Sequence, residues 1–171
     1  MSKILKIVRD DAFVQIRYHT DGHLAVHEMD GTFHEAPLQS FDDAMQKLAP
    51  IAGNWLEAGS DYGENAAVRS VTLSYTKNGT RSATIGFRKP LDIVDGSLLM
   101  VTPCVQVDEP QGSEETPRQC AKKQAEAIYK MIAEAERYLA GERQQMILPL
   151  AAAKSEPEEG EQLPFNKGKS K

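Results

Sequence analysis

A chain of 171 residues with 40% hydrophobic content holds one domain, or two small repeats, plus a tail. A net charge of −5 excludes a protein that coats nucleic acid by overall basicity. Its two cysteines, Cys104 and Cys120, have no Cys-x-x-Cys or Cys/His spacing, which excludes a disulfide scaffold and a zinc finger and points to a reducing compartment.

In chain order, the first 36 residues read as strands. Ile4–Val8 is followed by an Asp10-Asp11 turn, and Ala12–His19 by an Asp21-Gly22 turn. His23–Met29 is followed by an Asp30-Gly31 turn and a fourth strand, Thr32–Ala36. Asp-Gly supplies the positive-φ positions of tight hairpins, so an antiparallel meander is expected.

A helix comes next. Ser40 is its expected N-cap, with Asp43 three residues on, and Phe41, Met45, Leu48, Ala52, Trp55 and Leu56 recur at helical spacing. Pro50 should kink or shorten it, and Gly59–Asn65 reads as a linker.

The clearest hairpin is Val68–Thr76, Lys77-Asn78-Gly79, Thr80–Lys89. A three-residue loop sets Leu73 against Ala83 and Val71 against Ile85, apolar on apolar, with Gly79 left-handed. A two-residue loop would set Leu73 against Thr84, so the first register is expected. The other face then carries Ser70, Thr72, Ser74, Ser82 and Thr84, facing water or a ligand.

Ile93-Val94 reads as a short strand and Ser97–Val107 as a long one, with a bulge or edge at Pro103. The last helix is expected to start with Thr116 as N-cap, Pro117 at the first position and Gln119 closing a capping box, and to end at Gly141. Its stripe of Ala121, Ala125, Ile128, Ile132, Ala135 and Leu139 should pack on a sheet or on another helix; a coiled-coil seam is the other reading, on under four heptads, and a homo-oligomer is expected. The fold class is α+β, two ββββα units (1–58 and 66–142) with antiparallel sheets packed by two helices into one compact domain, and a flexible partner-binding tail over 143–171.

Chemistry is concentrated in few places. From Ala67 to Pro90 the charged residues are Arg69, Lys77, Arg81, Arg88 and Lys89, all basic, with Tyr75 and Phe87 among them. A basic surface with aromatic platforms suits single-stranded nucleic acid. Against that, Tyr75 and Phe87 share the parity of the apolar positions, which is where a core would want them. His19, His23, His27 and His34 all fall in the first meander. An Asp30-Gly31 turn would pair His27 with His34, but no Cys or acidic ligand joins them, so they read as exposed strand residues and no metal is expected. No nucleophile elbow, P-loop or dinucleotide fingerprint is present, so neither an enzyme nor a cofactor is expected. No run of about 18 apolar residues predicts a membrane span. The start, Met1–Lys6, alternates too much for a signal peptide, and the cytoplasm is the expected location.

The element order resembles the β-sheet single-stranded-DNA-binding family of Whirly proteins, Pur-alpha repeats and positive cofactor four. The resemblance spans residues 3–141 and rests on that order. Its nearest counterpart to the Whirly lysine-glycine-lysine strand motif, Lys77–Ala83, departs at most positions. The family implies curved sheets that hold single strands. In the tail, Gln145-Met146-Ile147-Leu148-Pro149-Leu150 resembles the hexapeptide by which bacterial polymerases and repair proteins dock on the sliding clamp. Gln145, Leu148 and Leu150 match, and Met146 stands for Leu. The other reading of this segment is a last strand packed back on the domain. Glu156–Phe165 resembles the acidic tail of bacterial single-strand-binding proteins, with Leu163-Pro164-Phe165 in place of their terminal Ile-Pro-Phe, although here residues 166–171 follow. These resemblances imply a single-stranded-DNA-binding accessory protein of bacterial or phage replication or recombination that recruits partners by its tail. The alternative is a phage effector that inhibits the host clamp or a defence system without touching nucleic acid.

Overall fold

The computed structural model describes residues 3–21, 26–91, 95–108 and 119–144. Its elements are β1 (Lys3–Arg9), β2 (Val14–Asp21), β3 (Val26–Phe33), α1 (Gln39–Gln46), α2 (Ala49–Trp55), α3 (Ser60–Gly63), β4 (Ala67–Tyr75), β5 (Arg81–Pro90), β6 (Ser97–Val101), β7 (Val105–Gln106) and α4 (Lys122–Leu139). The α+β class is as expected, but the two halves share one sheet of seven strands. It runs β3-β2-β1-β4-β5-β6, with β7 also on β5. The seam is β1 against β4, where Ile7 faces Val71.

Alternation gives this sheet two unlike faces. Ile4, Ile7, Val14, Ile16, Val68, Val71, Leu73, Ala83, Ile85 and Phe87 point to one side and are buried with residues of α1, α2 and α4. The helices all contribute to that one core, and among the described residues no element covers the opposite, open face of the sheet. The Ala/Ile stripe of α4 is consumed here: Ala125, Ile128, Ile132 and Ala135 are buried in the domain, joined by Met131 and Tyr138. The stripe is therefore an internal packing face and not a seam between copies.

The β4–β5 hairpin has the expected register, with Leu73 opposite Ala83 and Val71 opposite Ile85. Gly79 takes φ +84°, and its N–H donates to the Thr76 carbonyl at 3.0 Å. Elsewhere tertiary contacts override local signals. Asp30-Gly31 does not turn. Both lie inside β3, opposite Arg17 and Ile16, so the first half has three strands and not four. Asp30 accepts from Gln15 (2.9 Å) and Arg17 (3.0 Å), and the Phe33 ring lies over Gly31, where a Cβ would sit 2.7 Å from it. The expected His27–His34 pair is lost with the turn: His27 faces Thr20, and His34 lies beyond the strand.

Ser40 is not the N-cap of α1. Leu38 holds that position, and the Ser40 hydroxyl donates to Glu134 on α4 at 2.7 Å. The expected single helix is two, with Pro50 in the first turn of α2. The expected linker contains α3. A Cβ on Gly63 would meet the Ala49 carbonyl oxygen at 1.9 Å, so α3 presses on α2 at a distance only glycine permits.

The last helix begins at Lys122, later than expected. Gln119 bridges to Gln106, and Gln124 takes the N3 role, accepting from the Ala121 N–H at 3.1 Å and from the Trp55 indole at 3.1 Å. Gly141 ends the helix at φ +98°. The folded part extends past the expected boundary, because Arg143 bridges to Pro37 and the Gln144 N–H donates to Ala36. Gly22, His23, Ile93-Val94, Thr116, Pro117 and the tail residues Gln145, Met146, Leu148, Leu150, Leu163, Pro164 and Phe165 lie outside the described residues.

Candidate nucleic-acid interface

The seven residues expected to touch nucleic acid do not share a surface. Phe87 is 0% exposed, in the core opposite Val68, and has no face to offer a base. Arg69 leaves β4 beside a bulge and pairs with Asp11 at 3.2 Å. Lys89 turns to the helical side, where its Nζ lies 3.7 Å from the centre of the Tyr62 ring and donates to the Tyr62 carbonyl at 2.7 Å. Arg88 is exposed on the open face, opposite Leu99.

The other three lie at one end of the hairpin, and two of them, Tyr75 and Arg81, line a common cleft. Tyr75 and Arg81 are cross-strand partners at the closed end of the hairpin, and Lys77 sits in its loop. This end overhangs the middle of α4. Between them is a cleft of about 440 Å³ lined by Lys3, Ile4, Tyr75, Gly79, Arg81, Tyr129, Ile132, Ala133 and Glu136. Lys3, Tyr129 and Glu136 were not legible as site residues. The only signal was a tyrosine one place off the apolar stripe of α4.

The tyrosines are held firmly. The Tyr75 hydroxyl donates to the Ile4 carbonyl at 2.7 Å, and the Lys3 ammonium lies 3.9 Å from its ring centre. Burial pushes the Tyr75 phenol up from its ordinary range. The Tyr129 hydroxyl donates to Asp108 at 2.5 Å. Asp108 also accepts the Arg81 backbone N–H at 2.7 Å and lies 3.6 Å from its guanidinium, which in turn sits 5.2 Å from the Tyr129 ring centre. Burial first, and then the hydrogen bond to the Asp108 carboxylate, push the Tyr129 phenol up to about 12. It is therefore a neutral donor at physiological pH, and Asp108 orients ring and guanidinium together. Two fixed aromatic rings, cations beside them and an apolar floor can hold a flat π-system that carries an anion.

The open face is chemically different. Its centre carries the expected hydroxyls Ser70, Thr72, Ser74, Ser82 and Thr84, with Lys6 opposite Thr72. Toward β3 the charges are mutually satisfied: Arg17 lies 3.0 Å from Asp30 and 3.5 Å from Glu28. Among the described residues no group of three His, Cys, Asp or Glu is placed to hold a metal, and no helix is long and apolar enough to cross a membrane. Comparison with protein-family models, with curated proteins and with solved structures returned no match.

Proposed function

We propose that this protein binds single-stranded DNA at the closed end of the β4–β5 hairpin and is not an enzyme. An unstacked base enters the cleft between the hairpin and α4, and phosphates are met by Lys3, Lys77 and Arg81. The observation that carries this reading is the meeting of Tyr75 and Arg81 with Lys3 and Tyr129 in one cleft. Stacking plus a cationic rim is the sequence-tolerant way of holding a single strand. The hydroxyl row of the open face offers the same strand a polar track of hydrogen-bonding groups. In replication or recombination such a protein acts with others, and Gln145–Leu150 is the segment we assign to a sliding clamp.

Fluorescence anisotropy with labelled oligonucleotides tests this. Single-stranded DNA should bind at low salt, and Tyr75→Ala should weaken it by about 5- to 150-fold, the range of one base stack. Deleting residues 145–171 should abolish clamp capture and leave the cleft able to bind. No affinity for any single strand at low salt, where phosphate contacts show first, would refute the proposal. Clamp capture alone, without DNA affinity, would leave the protein-only effector as the reading.

A further inference from the structure

Among the described residues the sheet has two free edges, β3 and β6, and they are guarded unequally. The β3 edge carries Glu28 and Asp30, the kind of charge that keeps a strand edge from pairing with another chain. β6 reads Ser-Leu-Leu-Met-Val, without a charge or a proline. Leu99 and Val101 are 68% and 61% exposed, and Leu98 is exposed beside them.

The backbone of β6 is half used. Thr102 N–H donates to Ile85 at 2.9 Å, and Leu91 N–H donates to Gly96 at 3.0 Å. With Met100 opposite Phe87 and Leu98 opposite Lys89, antiparallel alternation turns the groups of residues 96, 98, 100 and 102 toward β5. Those of Ser97, Leu99 and Val101 therefore point away from the sheet. Among the described residues nothing pairs with them, whereas beyond Pro103 the outer edge of β7 is closed by Gln119 and by the Cys120 N–H on the Gln106 carbonyl at 2.9 Å. Among the described residues the open stretch is thus the five residues of β6.

We propose that β6 pairs antiparallel with β6 of a second copy of this chain, about a two-fold axis at Leu99. The strand is its own complement there. Ser97 faces Val101 of the copy, Leu99 faces Leu99, and Leu98 faces Met100, so every apolar side chain but one meets another. The outward backbone groups of residues 97, 99 and 101 on each copy find partners. A foreign strand would need side chains matched to this one, whereas an uncharged strand that complements itself about the axis meets its match in a two-fold copy. Pairing joins the two sheets edge to edge and makes their open faces continuous.

Light scattering and sedimentation velocity on the full chain test it. The wild type should run at twice the 18.9 kDa chain mass. Leu99→Lys sets like charges opposite each other at the axis and removes the two leucine side chains that pairing would bury, so its dimer should weaken by at least about 100-fold. In a Cys104→Ser, Cys120→Ser background, Leu99→Cys should crosslink to its copy under oxidation, since paired Cα atoms about 5.5 Å apart suit a disulfide. Lys77→Cys in the same background should not. A monomeric wild type overturns the proposal. So does a dimer that survives Leu99→Lys, one lost only on deleting residues 145–171, or failure of Leu99→Cys to crosslink.

Discussion

Ser40 stands where a helix cap belongs, yet it reaches across the domain to Glu134, 94 residues away. Glu134 is 8% exposed and otherwise held by Arg137, at 3.1 and 3.3 Å. Ser40→Ala removes one donor from a buried carboxylate. A hydrogen bond to a charged group contributes about 1.5–3 kcal/mol. Because Arg137 stays in place, we expect the lower part, about 1.5–2 kcal/mol, equivalent to a melting temperature lower by roughly 3–8 °C for a chain this size. A local capping role would cost about 1 kcal/mol and be blind to Glu134. The two accounts separate in a double-mutant cycle of Ser40→Ala with Glu134→Ala, read by urea unfolding. Coupling of about 1 kcal/mol or more is expected. Coupling near zero would show that the long-range bond does not stabilise the fold and return Ser40 to the helix start.

Phe87→Ala should lower stability by about 3–5 kcal/mol, the cost of emptying a fully buried aromatic site, and leave oligonucleotide affinity of the folded protein unchanged. A weakened affinity with intact folding would put Phe87 back among the binding residues. Tyr129 gives a pH signature. Its phenol ionises at about 12 in the folded chain against a reference of 10.0. Between those values the unfolded state binds fewer protons, so stability present in full below pH 10 falls as pH rises through the window. Tyr129→Phe should flatten this alkaline loss in urea midpoints, and an unchanged slope would mean that neither burial nor Asp108 holds the phenol up.

What the sequence made legible is what short-range chemistry determines. The β4–β5 register followed from pairing apolar residues across a three-residue loop, and Gly79 from its need for positive φ. The α4 stripe followed from its spacing. The errors share a cause. Asp30-Gly31, Ser40 and Gln119 each carry a strong local preference, and each is outbid by a partner distant in sequence: Arg17 with Gln15, Glu134, and Gln106. The site was legible by half for the same reason. Tyr75, Lys77 and Arg81 announce themselves by composition, but Lys3 and Tyr129 reach them only because β1 joins β4 and α4 crosses beneath the hairpin, which no local pattern encodes. Phe87 was ambiguous by parity, and burial decided it.

Which face meets the phosphates can be settled by salt. A single strand that engages Lys3, Lys77 and Arg81 forms about three phosphate contacts, so log affinity should fall against log salt with a slope near −2. Each alanine at these positions should flatten the slope by about 0.7. Arg81→Ala should also loosen Tyr129, because Arg81 lies against its ring and shares Asp108 with it. Lys77 is exposed in the hairpin loop, so Lys77→Ala is the cleaner variant. On the open face Arg17 is held between two carboxylates, Asp30 and Glu28, where Arg81 has one, Asp108, which leaves Lys6 and Arg88 to contribute first. Slopes measured for Lys77→Ala and Arg88→Ala therefore distinguish the surfaces. A slope that Lys77→Ala flattens and Arg88→Ala leaves alone places the strand at the cleft. The reverse would move it onto the hydroxyl face and refute the role assigned to Tyr75 and Tyr129.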